Sequence, residues 1–407
     1  MDIKLLVIII VFFCQILIFY RKDKSLKGIV LFLIFSSYAI KPYIEDFANI
    51  LDASITLFVI LGIFLILFSF LYKNNRITLH LIRTPIFMII FCVMVILNGF
   101  YNAFYKGYID SLYIQGLINV SYITLLVSFV FIVLRSEKTL LNILSSTKLS
   151  LYMLIFFGLY DFLINKWERV GSDVNPNYYA QMLIILLVFH VYSNNKNLSE
   201  NISLYFLSVI LVFLSDSSSG KISIILLSLI TIFVILKIKK WTINILGFVY
   251  VFIIFYFIYK TIKVSITGGI MDIFLKDDLS RVYIWQYAWE SIKENIWIGH
   301  EYNTFRSPWN NMYFVTHNDY LRIAAELGGI SAIIFIFYIF LQINKMSLIK
   351  NNMMFYLSSS LFFVTITYSI THNNINNFMF WIGIIFPSIA YIIQYEKRYT
   401  DEDKSPY

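Results

Sequence analysis

Apolar runs recur along this chain at lengths of 14 to 25 residues, and no other feature constrains its fold as strongly. A run of roughly 18 or more apolar residues crosses a bilayer as a helix. In lipid, a helix keeps its backbone N–H and C=O groups bonded within its own segment. The runs fall at about 3–20, 26–40, 54–72, 84–101, 114–134, 149–165, 178–193, 202–215, 222–236, 241–260, 319–343, 353–371 and 378–395. Those at 26–40 and 202–215 are short enough to be broken or partly enclosed by protein. The expected fold is therefore an all-α integral membrane protein with about 12–13 transmembrane helices and one long extracytoplasmic loop. Charged residues make up 14% of the chain, against about a quarter in soluble domains. Ile3–Tyr20 is followed by Arg21-Lys22-Asp23-Lys24, not by a small-residue cleavage site, so it reads as a retained helix and not a signal peptide. Cys14 and Cys92 lie inside apolar runs and supply neither a disulfide framework nor a metal cluster.

The net charge of +8 is read as an orientation signal, because basic residues in short loops mark the cytoplasmic side. Placing the loops at 21–27, 73–83, 135–148, 194–201, 237–240, 344–352 and 396–407 on one side divides the short-loop Lys and Arg residues 19 to 7. That side is then cytoplasmic, and 261–318 faces outwards. The expected organisation is N-terminal transmembrane helices over 1–174, helices with outer-face motifs over 175–260, the extracytoplasmic loop over 261–318, C-terminal helices over 319–395 and a cytoplasmic tail over 396–407.

The outer ends of three helices carry distinctive residues. Asn175-Pro176-Asn177-Tyr178-Tyr179-Ala180 pairs a preferred N-cap with a preferred first helical residue. Ser217-Ser218-Ser219-Gly220-Lys221 forms a tight turn into the next outward-starting helix, and Thr316-His317-Asn318-Asp319 opens a third. Helix starts present free N–H groups and a positive dipole end, which suits them to anions, phosphate above all. Simple capping explains each taken singly; their combination with Lys221, Arg281 and His317 favours a site.

Within the long loop, Ser280 can cap a short helix from Arg281 to about Asn295. Its stripe of Val282, Trp285, Trp289 and Ile292 would lie on the bilayer surface or against the bundle, with the Trp residues anchoring at headgroup level. Arg281 stands at a helix start, where the dipole disfavours a cation. It calls for a partner, either Asp277 or Asp278 or a bound anion. His317 at the mouth of the following helix is either a structural hydrogen-bonder or a proton acceptor. Beyond it, Leu321, Ala324, Ala325 and Gly328 form a seam of small residues suited to close packing. Arg322 and Glu326, four apart, can pair on one face. His372, followed by Asn373 and Asn374, sits at another outer helix end facing the same space, its role open.

These residues resemble a known family. Asn175-Pro176-Asn177 with Ala180, Arg281-x-x-x-Trp285 leading to Asn295-Ile296-Trp297-Ile298-Gly299, and His317-Asn318-Asp319-Tyr320-Leu321 with Glu326-Leu327-Gly328 are similar, in order and spacing, to motifs of the O-antigen ligase and polymerase superfamily. The resemblance covers roughly 175–345. It implies a glycosyltransferase of the GT-C type, Wzy-like, working outside the cytoplasmic (inner) membrane on undecaprenyl-diphosphate-linked sugars in lipopolysaccharide biosynthesis. It makes Arg281 and His317 the catalytic residues, Arg281 gripping the diphosphate and His317 acting on the acceptor hydroxyl. Lys221, Ser219, Asn175, Asn177, Asn318, Arg322 and His372 are the expected diphosphate- and substrate-binding residues. A chain-length regulator and a flippase are the implied partners, and no nucleic acid. Where the family carries Ser-Arg-Gly, this chain has Ser218-Ser219-Gly220, and Lys221 replaces the bidentate fork by a point charge. The outer loops show no acidic cluster with metal-ligand spacing, so no cofactor or divalent ion is expected; Asp277 and Asp278 are the residues that bear on this.

The expected activity is polymerisation of lipid-linked repeat units, with the sister ligase, which moves the polymer to lipid A–core, as the alternative. A flippase or other transporter would instead predict an internal repeat and polar residues at mid-membrane. No repeat is visible, and the polar residues gather at the outer face.

Overall fold

The computed structural model describes residues 3–40, 86–134, 136–164, 170, 175–193, 198–263, 279–309, 312–370, 372 and 374–402. The apolar runs fold as helices: α1 (Ile3–Lys22), α2 (Leu26–Ile40), α3 (Ile86–Lys106), α4 (Ser111–Val133), α5 (Glu137–Ser146), α6 (Lys148–Ile164), α7 (Pro176–Tyr192), α8 (Leu198–Leu214), α9 (Ser218–Ile235) and α10 (Lys240–Lys263). After these come α11 (Leu279–Glu294), strands β1 (Ser307–Trp309) and β2 (Met312–Phe314), then α12 (Asp319–Ser347), α13 (Asn352–Tyr368) and α14 (Phe378–Glu402). Among the described residues, seven helical stretches are long and apolar enough to cross a membrane, α5 and α6 counting as one. The chain is an all-α integral membrane protein, as the apolar runs imply. The expected span at 54–72 lies outside the described residues.

Helices α7 and α13 form the centre. Along α7 every residue from Tyr179 to His190 is buried, and so is every residue from Met354 to Tyr368 of α13. A helix apolar on all sides must be enclosed on all sides, and α13 packs on α7, α9 and α14. Helices α3, α4, α9 and α10 lie further out and keep large apolar side chains exposed, Phe104 and Ile235 among them. Such faces are at home against lipid.

The structure departs from the sequence expectations in four places. The predicted loop at 135–148 contains α5, whose Leu140, Ile143 and Leu144 are buried; a short amphipathic helix carries too few apolar residues to register as a span. The predicted tail begins as the last two turns of α14, so 396–402 are helical. The loop over 261–318 contains an antiparallel hairpin that pairs Ser307 with Phe314 and Trp309 with Met312. Finally, Trp285 is not an interfacial anchor. The stripe on α11 faces the bundle, with Trp285 2% exposed, its ring edge-on to Phe257 and its Nε1 donating to the Thr316 carbonyl at 3.0 Å.

Candidate functional site

The start of α12 is fixed from both sides. Asn318 accepts a hydrogen bond from the Leu321 N–H at 3.0 Å as the N-cap, while the Thr316 carbonyl is held by Trp285. Asp319, fully buried, accepts from the backbone N–H groups of Asn374 and Ile375 at 2.9 and 3.1 Å, and its own N–H donates to the Ser369 carbonyl. This ties Ser369, Asn374 and Ile375 to the helix start. Between the locked residues 316 and 318 stands His317 with φ 49°, a left-handed conformation that costs a non-glycine residue about 1–2 kcal/mol. Strain of this kind is retained where neighbours over-determine it, and here the Thr316 contact and the Asn318 cap do so.

His372 follows the end of α13, near enough to His317 and Arg281 to feel their charge. Its ring stacks on Tyr368, centroids 5.8 Å apart, and its Nε2 is buried with no hydrogen-bond partner among the described residues. Burial first, then the charge of Arg281, then His317, push the His372 ring down to about 3 from its ordinary value, so it is neutral at physiological pH. Arg281 belongs to the first turn of α11, which begins two residues earlier than expected, at Leu279; Ser280 therefore falls inside the helix. Asp277 and Asp278, the acidic partners considered for Arg281, lie outside the described residues.

Tyr368 also joins the other two helix starts to this centre. A Cβ added at Gly220 would lie 3.0 Å from the Ala180 Cβ, 3.0 Å from the Tyr368 hydroxyl and 3.1 Å from the Ser217 Cβ. Small residues at 180 and 220 thus let α7, α9 and α13 close on one another. Ser217 caps α9 through the Gly220 N–H, Asn175 caps α7 through the Asn177 N–H, and Ser219 is buried. The starts of α7, α9 and α12 and the end of α13 consequently meet at one end of the bundle, with Arg281 and His317 beside them. Lys221 is engaged in an ion pair with Asp216, itself at φ 53°.

Arg322 has a different place. It is 3% exposed, its Nε donates to Glu326 at 3.1 Å and its Nη2 to Asn303 Oδ1 at 2.8 Å, and its guanidinium lies 5.6 Å from the Tyr302 ring centre. The geometry supports a structural ion pair, not the substrate contact expected of Arg322: its donors are turned onto the 300-loop. Glu326 in turn accepts from the Asn303 N–H at 2.9 Å.

Around that pair the Asn295–Gly299 and Glu326–Gly328 motifs dock backbone to backbone. Gly328 breaks α12 with φ 80° and ψ 171°, so that the Gly329 N–H donates to the Ile296 carbonyl and the His300 N–H to the Ala325 carbonyl, both at 2.7 Å. A Cβ at Gly328 would lie 2.2 Å from the Trp297 carbonyl oxygen, and one at Gly299 (φ 74°) 2.5 Å from the Gly328 nitrogen. Only glycine fits either position. Asn98 of α3 fastens the same loop, donating to the carbonyls of Ile298, His300 and Glu326 and accepting from the Tyr302 N–H, all at 2.8–3.0 Å. Sequence reasoning missed Asn98, Asn303 and Tyr368. For Asn98 a signal existed, since a polar residue within an apolar run needs a partner.

Residues 203–336 match the family described as O-antigen ligase. The matched region runs from α8 into α12 and includes the α9 start, Arg281, the 295–314 segment, His317 and the broken helix at Gly328. The match covers about a third of the chain, and it supports a relation to the O-antigen ligase/polymerase superfamily. No curated protein matches the chain significantly.

Proposed function

We propose that this protein is a surface-polysaccharide (O-antigen) polymerase of the GT-C type in the cytoplasmic (inner) membrane, transferring a growing undecaprenyl-diphosphate-linked glycan onto the next lipid-linked repeat unit at the extracytoplasmic face. The observation that carries the reading is that the starts of three helices meet at one end of the bundle, with Arg281 and His317 near enough to act on the charge of His372. In the proposed step the acceptor hydroxyl oxygen bonds to the anomeric carbon of the donor. The bond from that carbon to the diphosphate breaks, and the electron pair leaves on the phosphate oxygen. The hydroxyl proton passes to His317, a residue type suited to general-base work near neutrality. Charge building on the diphosphate is met by Arg281, which suits phosphate through its bidentate fork, and by the N–H groups at the helix starts. Asn175, Asn177, Ser219 and Asn318 contribute through those starts, and Lys221 joins by exchanging Asp216 for phosphate.

The sister reading is a ligase that transfers the polymer to lipid A–core, favoured by the description of the matched family. Deleting the gene and resolving the surface glycan on a gel separates the two. A ladder that collapses to core plus one repeat unit is expected of a polymerase; loss of even that unit would assign the ligase. A flippase is the third reading, and elongation of lipid-linked repeat units by the purified protein without a vesicle gradient would exclude it.

A further inference from the structure

At the far end of α11 from Arg281 lies a separate cleft of about 290 Å³, at the small end of the range for ligand pockets. Its apolar part is aromatic: the rings of Tyr287 and Phe305 stand 6.0 Å apart, and the His300 ring lies 5.8 Å from Phe305. Tyr287 is 40% exposed, so its ring has area to offer a ligand. The polar lining mixes signs, with Glu290 and Glu294 from α11 set against Lys106 and Arg306. Lys106 is already bonded to the buried Glu301 at 3.1 Å, and Arg306 Nη1 donates to the carbonyls of Asn303 and Phe305.

Both signs are partly engaged, Glu290 accepting from Lys293 at 2.7 and 2.9 Å while Lys106 and Arg306 are held by Glu301 and by carbonyls, so the lining favours neither a polyanion nor a polycation. It equally offers little to a purely apolar tail. A polyhydroxylated neutral ring satisfies both halves: its C–H face packs on an aromatic ring, and its hydroxyls donate to carboxylates and accept from cations. Position along the helix adds a length. From Arg281 to Glu290 is nine residues and to Glu294 thirteen, or roughly 14 and 20 Å at the helical rise. A diphosphate held at Arg281 would leave its sugars within reach of the cleft after a few residues of glycan.

We infer that the cleft between the last turns of α11 and the 300–306 segment is a glycan-binding subsite, with Tyr287 as its stacking platform and Glu290 and Glu294 as its hydroxyl acceptors. That the bound glycan is the one being transferred rests on the transferase reading; that the cleft binds sugar does not.

The test uses the full chain in detergent, titrated with lipid-free oligosaccharides released by mild acid from the surface polysaccharide of the source organism and read by saturation-transfer NMR. Tyr287→Ala is expected to weaken binding about fivefold or more, a loss the size of one aromatic contact. Tyr287→Phe should restore it, and Arg281→Ala should leave it unchanged. Equal binding by wild type and Tyr287→Ala, absence of binding by wild type, or displacement by inorganic pyrophosphate would each overturn the assignment. In turnover assays the Tyr287→Ala variant should raise KM at constant kcat: for the repeat unit if the cleft holds the acceptor, for the polymer-bearing lipid if it holds the donor. A loss in kcat alone would also overturn it. Sugar binding that depends on Tyr287 in a protein without transfer activity would defeat the transferase reading and leave the subsite standing.

Discussion

Two polar clusters share the first turns of α12, and they are bonded very differently. One turn in, Arg322 and Glu326 are buried and tied to each other, to Asn303 and, through the 300-loop, to Asn98. At the helix mouth, His317 holds a left-handed backbone and His372 keeps a buried Nε2 without a hydrogen-bond partner among the described residues. A buried polar group without a partner costs free energy, so proteins avoid the second arrangement unless something else occupies that capacity. Arg322 and Glu326, turned onto the 300-loop, read as scaffold even though Glu326 Oε1 is also buried without a partner among the described residues, and the proposed chemistry falls to the mouth, where the backbone of His317 is strained.

The largest expected effect breaks the scaffold. Glu326→Ala leaves the Arg322 guanidinium buried without its carboxylate and should cost about 3–5 kcal/mol, seen as loss of folded protein and a lower unfolding midpoint in detergent. Replacing both partners by apolar residues of similar size should cost less than Glu326→Ala alone. If the double variant were the worse of the two, the pair would be doing more than filling its own site. Next in size is His317→Ala. It should insert and melt like wild type, yet lower transfer by about 10²–10³-fold, the usual contribution of a positioned proton acceptor. Full polymer from either His317→Ala or Arg281→Ala would remove that residue from the site.

How far the sequence reveals this division depends on what kind of regularity each part leaves. Membrane helices leave long apolar runs, so the architecture was legible, and the Arg322–Glu326 pair follows from a spacing of four. The caps at Asn175, Ser217 and Asn318 were legible too, because capping is local chemistry. Helix α5 was not, its apolar stripe being short. For Asn98 the sequence signals that a partner is needed but not which one, because its partners lie 200 to 228 positions away and no local pattern encodes them. Tyr368 likewise looks like one more apolar-run aromatic until the fold sets it between Gly220 and His372.

Gly328 tests the scaffold from its backbone. In Gly328→Ala the new Cβ meets the Trp297 carbonyl at a position with φ 80°, so α12 must shift or the 296–300 segment must let go. Strain and overlap together should cost about 2–4 kcal/mol. Because the break lies nine residues beyond Asp319, the unfolding midpoint should fall while the KM of the surviving folded protein changes little. A large KM change instead would mean that the two clusters are mechanically one.

The last effect is one of pH, and it isolates His372. In the folded protein, burial and then Arg281 hold this ring down to about 3, below its ordinary 6.5. Between those values the unfolded chain binds a proton that the folded chain does not, so stability rises with pH across that window. Above 6.5 the ring is neutral in both states and the contribution is complete; as the pH falls towards 3 it is lost. His372→Gln should therefore flatten the dependence of the unfolding midpoint on pH between about 6.5 and 4, with little change at pH 8. Arg281→Ala should flatten it less, because desolvation and not the guanidinium is the larger cause. If Arg281→Ala flattened the curve as much as His372→Gln, charge would outweigh burial at this centre. The mouth of α12 would then be set up mainly by the cation that the proposed chemistry assigns to the diphosphate.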